Sequence, residues 1–334
     1  MTKLHLITGN HKFMAGIADI QHVLFDVVGH ELSHGPFAET SKINFVIEDF
    51  ASREFTEYIL NSKFRICLVL TEFMNLGYYG KVSLNKFGFK SNRIYLLLED
   101  VLISFLRYFK LFLPVRFRSK AEKLIYWKNR EVGLRRILKS DRVVGIFCLH
   151  PEIEVQSRLY LPFFPKDSVF TLFPRLSGLP ESTDILNVPI VSFGNKNRYR
   201  KKQIIKFNKV FPTKVIEPNF EKESVSRISD IPLPFVDLYF KNSKNWKYLS
   251  PIRFWRTLHK GSFVVYFGKE LTDHPINKCA IRAESYEDFA RSLEDFAVMK
   301  EVILNEINVY DEFAKETNDR SLTFLQGLIQ NSNS

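Results

Sequence analysis

The chain has 334 residues, 45% of them apolar, and a formal net charge of +11. That length can bury a large core and predicts two domains rather than one. The basic balance favours an anionic partner: a phosphate-bearing small molecule, a nucleic acid or an acidic membrane surface. Three scattered cysteines, Cys67, Cys148 and Cys279, without CxxC spacing, argue against a disulfide framework or a zinc site and are compatible with a reducing compartment.

In chain order, MTKLHLITGN lacks the apolar core and cleavage site of a secretory signal and reads as a first strand from Leu4 to Thr8. The turn TGNHKFMAG opens a helix from Ala15 to Val28. Gly9 and Gly16 leave room for a ligand beside the backbone. His11 falls at the carboxyl edge of the sheet, where α/β folds bind ligands. The spacing is not GxGxxG, and a plain βα turn fits equally well. Further strands are INFVIE (Ile43 to Glu48), FRICLVLT (Phe64 to Thr71) and VVGIFCL (Val143 to Leu149), with a helix from Lys120 to Leu138.

Ile94 to Phe117 is the most lipid-like region, but Glu99, Asp100, Arg107 and Lys110 interrupt it. No run reaches the ~18 apolar residues of a spanning helix. The expectation is a cytoplasmic protein, soluble or peripheral on the inner face of a membrane. LISFLRYFKLFLPVRFRSK fits an amphipathic core helix with a basic outer face, or a helix lying on an anionic bilayer.

Pro162, Pro165, Pro174, Gly178 and Pro180 crowd the segment between Phe163 and Asn187 and place the domain join there. Beyond it come the strand VPIVSF, a helix from Arg198 to Val210, and the strands TKVIEP and FVDLYFK. A helix from Tyr248 to His259 is ended by Gly261 and followed by the strand SFVVYF. A charged helical pattern from Tyr286 to about Thr317 closes the series. Short apolar runs alternating with amphipathic stretches predict an α/β fold with parallel sheets.

Two stretches carry candidate chemistry. After VPIVSFG, seven basic residues and no acid lie between Lys196 and Lys209. Strand, glycine, polar turn and basic helix is the layout that holds a phosphate at a helix N-terminus, and it also describes a solvated basic helix. In NWKYLSPIRFWRTLHKG, Ser250 suits an N-cap, Pro251 the first helical position, and Arg253 the first turn. Hydroxyl, free amides and guanidinium together suit a diphosphate. The plain alternative is a capped helix whose Phe254, Trp255 and Leu258 pack on the sheet.

A strand, glycine and Arg-rich loop followed about sixty residues later by SPxRxxxxLxxG and another strand resembles the C-terminal domain of GT-B glycosyltransferases. INFVIEDF followed by LVLTEFMN resembles the N-terminal half of bacterial members of that group. The resemblance implies two Rossmann-like domains facing a cleft: residues 1–175 on the acceptor side, 176–310 holding a nucleotide-sugar, and 311–334 returning as a helix towards the first domain. It makes Gly194, Asn195, Arg198 and Arg200 one phosphate loop and Ser250 with Arg253 the second, with Lys206 and Lys209 on a solvated face. The glutamate that many of these enzymes use to hold the donor ribose has no counterpart in PIRFWRTLHKG, where the next acid is Glu270.

The implied activity is transfer of a sugar from a nucleotide-diphosphate donor to a glycan or lipid-linked acceptor, with the nucleotide sugar as substrate and no separate cofactor. A base for the acceptor proton comes from the ends of first-domain strands: Glu72, His11 or Glu48, beside Asp49, with His150 similarly placed. The eight histidines form no HxH grouping, and no metal is expected. The alternative from another class is a non-catalytic basic α/β protein binding nucleic acid or an anionic membrane, although no helix-turn-helix, zinc or RNP-like pattern is present.

Overall fold

The computed structural model describes residues 4–9, 23–24, 32–40, 42–71, 92–151, 153–154, 165–176, 188–193, 198–211, 231, 233–240, 251–267 and 274–331. The chain divides into two units. The first comprises Met1–Lys12, His30–Thr171 and Thr323–Ser334; the second comprises Phe13–Gly29 and Leu172–Leu322.

The first unit is built on β1 (Leu4–Ile7), β2 (Leu32–Gly35), β3 (Ile43–Ile47), β4 (Ile66–Leu70), β5 (Val143–Cys148) and β6 (Val169–Thr171). They form one sheet in the order β2-β1-β3-β4-β5-β6, every pair parallel. The inner strands β3 and β4 are buried at every position. Parallel sheets are covered on both faces, so their strands read as continuous apolar runs rather than alternating ones. From β1 the chain steps one way to β2, and β3 then lands on the other side of β1. That reversal makes a switch point, at whose carboxyl edge α/β folds open a crevice. Among the described residues, helices α1 (Arg53–Asn61), α2 (Asn92–Phe109) and α3 (Val115–Leu138) lie wholly in this unit. Ser52 caps α1, its hydroxyl accepting from the Phe55 amide. Ile137, Leu134 and Leu138 of α3 pack with Ile66, Leu68 and Ile146 of the strands.

In the second unit β7 (Ile190–Val191), β8 (Val236–Tyr239), β9 (Phe263–Phe267) and β10 (Ile281–Ala283) form a parallel sheet in the order β10-β9-β8-β7. Helix α4 (Arg198–Val210) follows β7, and α5 (Pro251–His259) lies between β8 and β9. Each therefore starts from the carboxyl edge of the sheet. Helix α5 ends in a Schellman motif: Gly261 N–H donates to Leu258 O (2.8 Å) and Ser262 N–H to Thr257 O (3.1 Å). Gly261 takes the left-handed φ of 66° that this termination requires.

The pattern from Tyr286 to about Thr317 resolves into two helices, α6 (Tyr286–Glu294) and α7 (Phe296–Asn331), interrupted at Asp295. A capping box between Ser285 and Asp288 starts α6. The helix expected from Lys120 begins earlier, at Val115. The strand TKVIEP lies outside the described residues, and of the helix expected over Ala15 to Val28 only Val23 and Leu24 are described, both helical and buried.

Candidate anion-binding site

Helices α4 and α5 each bring an arginine at their third residue to the carboxyl ends of β7 and β8. Arg200 is 6% exposed and donates from Nε to Phe240 O (3.2 Å) and from Nη1 to Phe193 O (3.1 Å). It thereby spans the segments leaving two adjacent strands. Ser192 Oγ donates to Leu238 O (3.1 Å) across the same gap.

Arg253 is 8% exposed and lies against Asp237, which is fully buried within β8. Its Nη2 donates to Asp237 Oδ1 at 3.0 Å and its Nε to Oδ2 at 3.4 Å. The Phe193 amide donates to Oδ1 and the Thr257 hydroxyl to Oδ2, both at 3.3 Å. The Asp237 carboxylate thus accepts four hydrogen bonds from described residues. The guanidinium carbon of Arg253 sits 4.3 Å from the Tyr239 ring centroid, and that of Arg256 sits 4.9 Å from the Phe193 ring.

The remaining nitrogen of Arg253, Nη1, is buried and has no hydrogen-bond partner among the described residues. A buried guanidinium donor left unmade costs the desolvation of that group. Burial first, and then the neighbouring positive charge of Arg253, pulls the Arg200 pKa down to about 10. Arg200 remains charged at neutral pH. The edge thus holds two buried guanidinium groups close enough to repel each other, beside one carboxylate.

Three contacts of Arg253 run to Asp237 and Leu238 inside the unit, so it also holds α5 on β8. Phe254, Trp255 and Leu258 are buried on the same helix, and the Trp255 indole donates to Arg175 O at 2.9 Å. Structural contacts and a buried guanidinium nitrogen without a hydrogen-bond partner among the described residues coexist in one nine-residue helix.

Of the other residues singled out in the sequence, Arg198 is exposed at the start of α4, and Lys201, Lys202, Lys206 and Lys209 are exposed along it. His11, Glu72, Gly194, Asn195 and Ser250 lie outside the described residues. Glu48 is 1% exposed at the end of β3. It accepts from the Thr71 amide (2.7 Å) and hydroxyl (2.5 Å) and is ion-paired with Arg130 of α3. Arg130 Nε also donates to Glu48 O at 3.3 Å. A base must offer a lone pair to its acceptor, and Glu48 would first have to release these donors. Its neighbour Asp49 accepts from the Tyr126 hydroxyl at 2.6 Å.

Gly9 meets backbone rather than open space: a Cβ there would stand 2.3 Å from Pro36 O. The neighbouring Thr8 amide donates to Gly35 O at 2.7 Å, so close packing of two loops accounts for this glycine. Among the described residues no cluster of His, Cys, Asp or Glu could hold a metal ion. Asp237 went unremarked in the sequence, though one acid inside the apolar strand FVDLYF was the available clue. A charge placed there must be buried, and a buried carboxylate needs a cation.

No family model matches the chain, and no curated protein matches it. Among solved structures it is similar to the spinosyn forosaminyltransferase SpnP, over 99% of this chain and 100% of that one, with 8% identity and a TM-score of 0.35. A TM-score that low carries no argument about this protein.

Proposed function

We propose that the chain is a glycosyltransferase whose second unit holds the diphosphate of a nucleotide-sugar donor between Arg200 and Arg253. The observation that carries this reading is the partnerless Nη1 of Arg253, buried at the first turn of α5 beside a second buried guanidinium. An anion there supplies the missing acceptor, offsets the repulsion between the two arginines and meets the free amides of a helix N-terminus. Gly194, Asn195, Arg198 and Ser250 are the further donors that the sequence pattern assigns to the same group.

In such a transfer the acceptor oxygen bonds to the anomeric carbon as the bond from that carbon to the diphosphate oxygen breaks. The electron pair stays on the departing diphosphate, and the acceptor proton passes to a base or, in a retaining reaction, to the leaving group. Fixed guanidinium groups favour the step because negative charge grows on the group they hold. Under this reading the first unit takes the glycan or lipid-linked acceptor at the β1–β3 switch point, with His11 or Glu72 as base.

Isothermal titration of the full chain with uridine, guanosine and adenosine diphosphates and with inorganic diphosphate tests the reading. One nucleotide should bind selectively, and Arg253→Lys should weaken it by roughly 2 kcal/mol, about thirtyfold, because a single ammonium cannot hold Asp237 and reach the diphosphate at once, as the guanidinium fork can. Equal affinity for the wild type and Arg253→Lys, or no binding of any diphosphate, would overturn it.

A further inference from the structure

Eight of the seventeen large apolar residues exposed among the described residues fall between Val101 and Phe117. They lie on α2, on the short 3-10 turn Lys110–Phe112 and at the start of α3. One stripe of α2, Ile103 and Leu106, is buried in the first unit. A second stripe at helical spacing, Phe105, Tyr108, Phe109 and then Phe112, faces outward, with the Phe105 and Phe109 rings stacked at 4.5 Å. Tyr108 is 80% exposed, Phe112 83% and Val115 79%. A helix serving only a core needs one apolar face, and a clustered apolar surface of this kind marks an interaction site.

The hairpin that presents these side chains is held in place. Arg107 Nη2 donates to Asn129 Oδ1 at 2.7 Å, joining α2 to α3, and Arg118 Nη2 donates to Leu111 O at 3.0 Å, closing the turn. Charge selects the partner. From Val101 to Ala121 the sequence has Arg107, Lys110, Arg116, Arg118 and Lys120 and no acid. A second copy of this face would set like charges against each other, whereas an anionic surface would attract all five. Among the described residues no helix is long and apolar enough to cross a membrane, so insertion would be shallow.

We infer that the α2–α3 corner of the first unit docks on an anionic lipid bilayer, its Phe, Tyr and Leu side chains entering the interface and its basic residues meeting the headgroups. This goes beyond the proposed sugar transfer and stands independently of it.

The test is co-sedimentation of the full chain with vesicles of phosphatidylcholine alone and with phosphatidylglycerol added. Binding should require the anionic lipid and weaken as salt is raised. The triple variant Tyr108→Ser, Phe112→Ser, Val115→Ser removes exposed side chains and should melt with the wild type. It should lower the partition by about a hundredfold or more. Absent binding, equal binding to neutral vesicles, or unchanged binding by the folded triple variant would overturn the proposal. So would concentration-dependent self-association in sedimentation velocity that the triple variant abolishes while vesicles fail to bind. If the triple variant melts early, the lipid and salt dependence of the wild type decides.

Discussion

Arg253 and Asp237 form a buried ion pair in which the carboxylate is fully satisfied and the guanidinium is not. The asymmetry separates the two jobs of the arginine. Its Nε and Nη2 hold a helix to a strand, and its Nη1 remains for something else. Arg253→Ala would leave Asp237 charged and buried without its cation, so a loss of about 3–5 kcal/mol is expected in urea unfolding. Arg253→Lys keeps the pair and should lose much less. A melt of Arg253→Ala indistinguishable from wild type would mean that Asp237 finds another partner.

Glu48 should behave as a strut. Replacing it by Ala leaves Arg130 without its carboxylate and the Thr71 hydroxyl without its acceptor. About 3 kcal/mol of stability should go with them. Glu48→Gln keeps the shape and some acceptor capacity, and should fall between. Urea midpoints for the two variants check the order, and an Ala variant as stable as the wild type would contradict it.

All three cysteines are buried. Burial pushes the Cys279 thiol up from its ordinary 9.0 to about 12, with the Glu306 charge adding a smaller push, and raises Cys67 further still. The unfolded chain therefore releases these protons before the folded one does. Their contribution to stability is complete below pH ~9 and falls away as pH rises towards 12. Ellman's reagent at pH 8 should label the native protein only as fast as it opens, and all three sites at once in guanidinium. Rapid stoichiometric labelling of the native state would refute the burial.

Gly261 terminates α5 at a φ that alanine adopts at a cost of about 1 kcal/mol. Gly261→Ala should lower the melting temperature by a few degrees while leaving the far-ultraviolet spectrum unchanged. A Gly261→Asn variant should recover part of the loss, since asparagine tolerates this conformation better. Equal stability of all three proteins would count against the Schellman ending.

The strands that could be read in the sequence were those whose burial is uninterrupted, such as INFVI and ICLVL. Full burial on both faces leaves an apolar run with no other explanation. Three short edge or near-edge strands, β2, β6 and β10, were not read, because LSHG, VFT and IRA are too brief to show a period. The break at Asp295 was equally hidden: neither Gly nor Pro marks it, and the periodicity resumes one residue later. At the site, the two arginines were legible from their places after strands and at helix starts. Their partners were not, since Arg253 meets Asp237 sixteen positions away and Arg200 meets two carbonyls that carry no residue-specific mark.

Phe324, near the end of α7, packs on Phe147 and Phe170, and a side chain on Gly145 would collide with its ring. The aromatic side chain beside β5 and β6 is therefore encoded after residues 172–322, the greater part of the second unit. On a ribosome the first sheet has its strands ready long before this cover arrives. For that interval it leaves part of an apolar face open, and chaperone dependence should follow the synthesis of the second unit rather than the first. A ribosome stalled before residue 324 should hold a first unit that proteases cut easily, and one released after it should not.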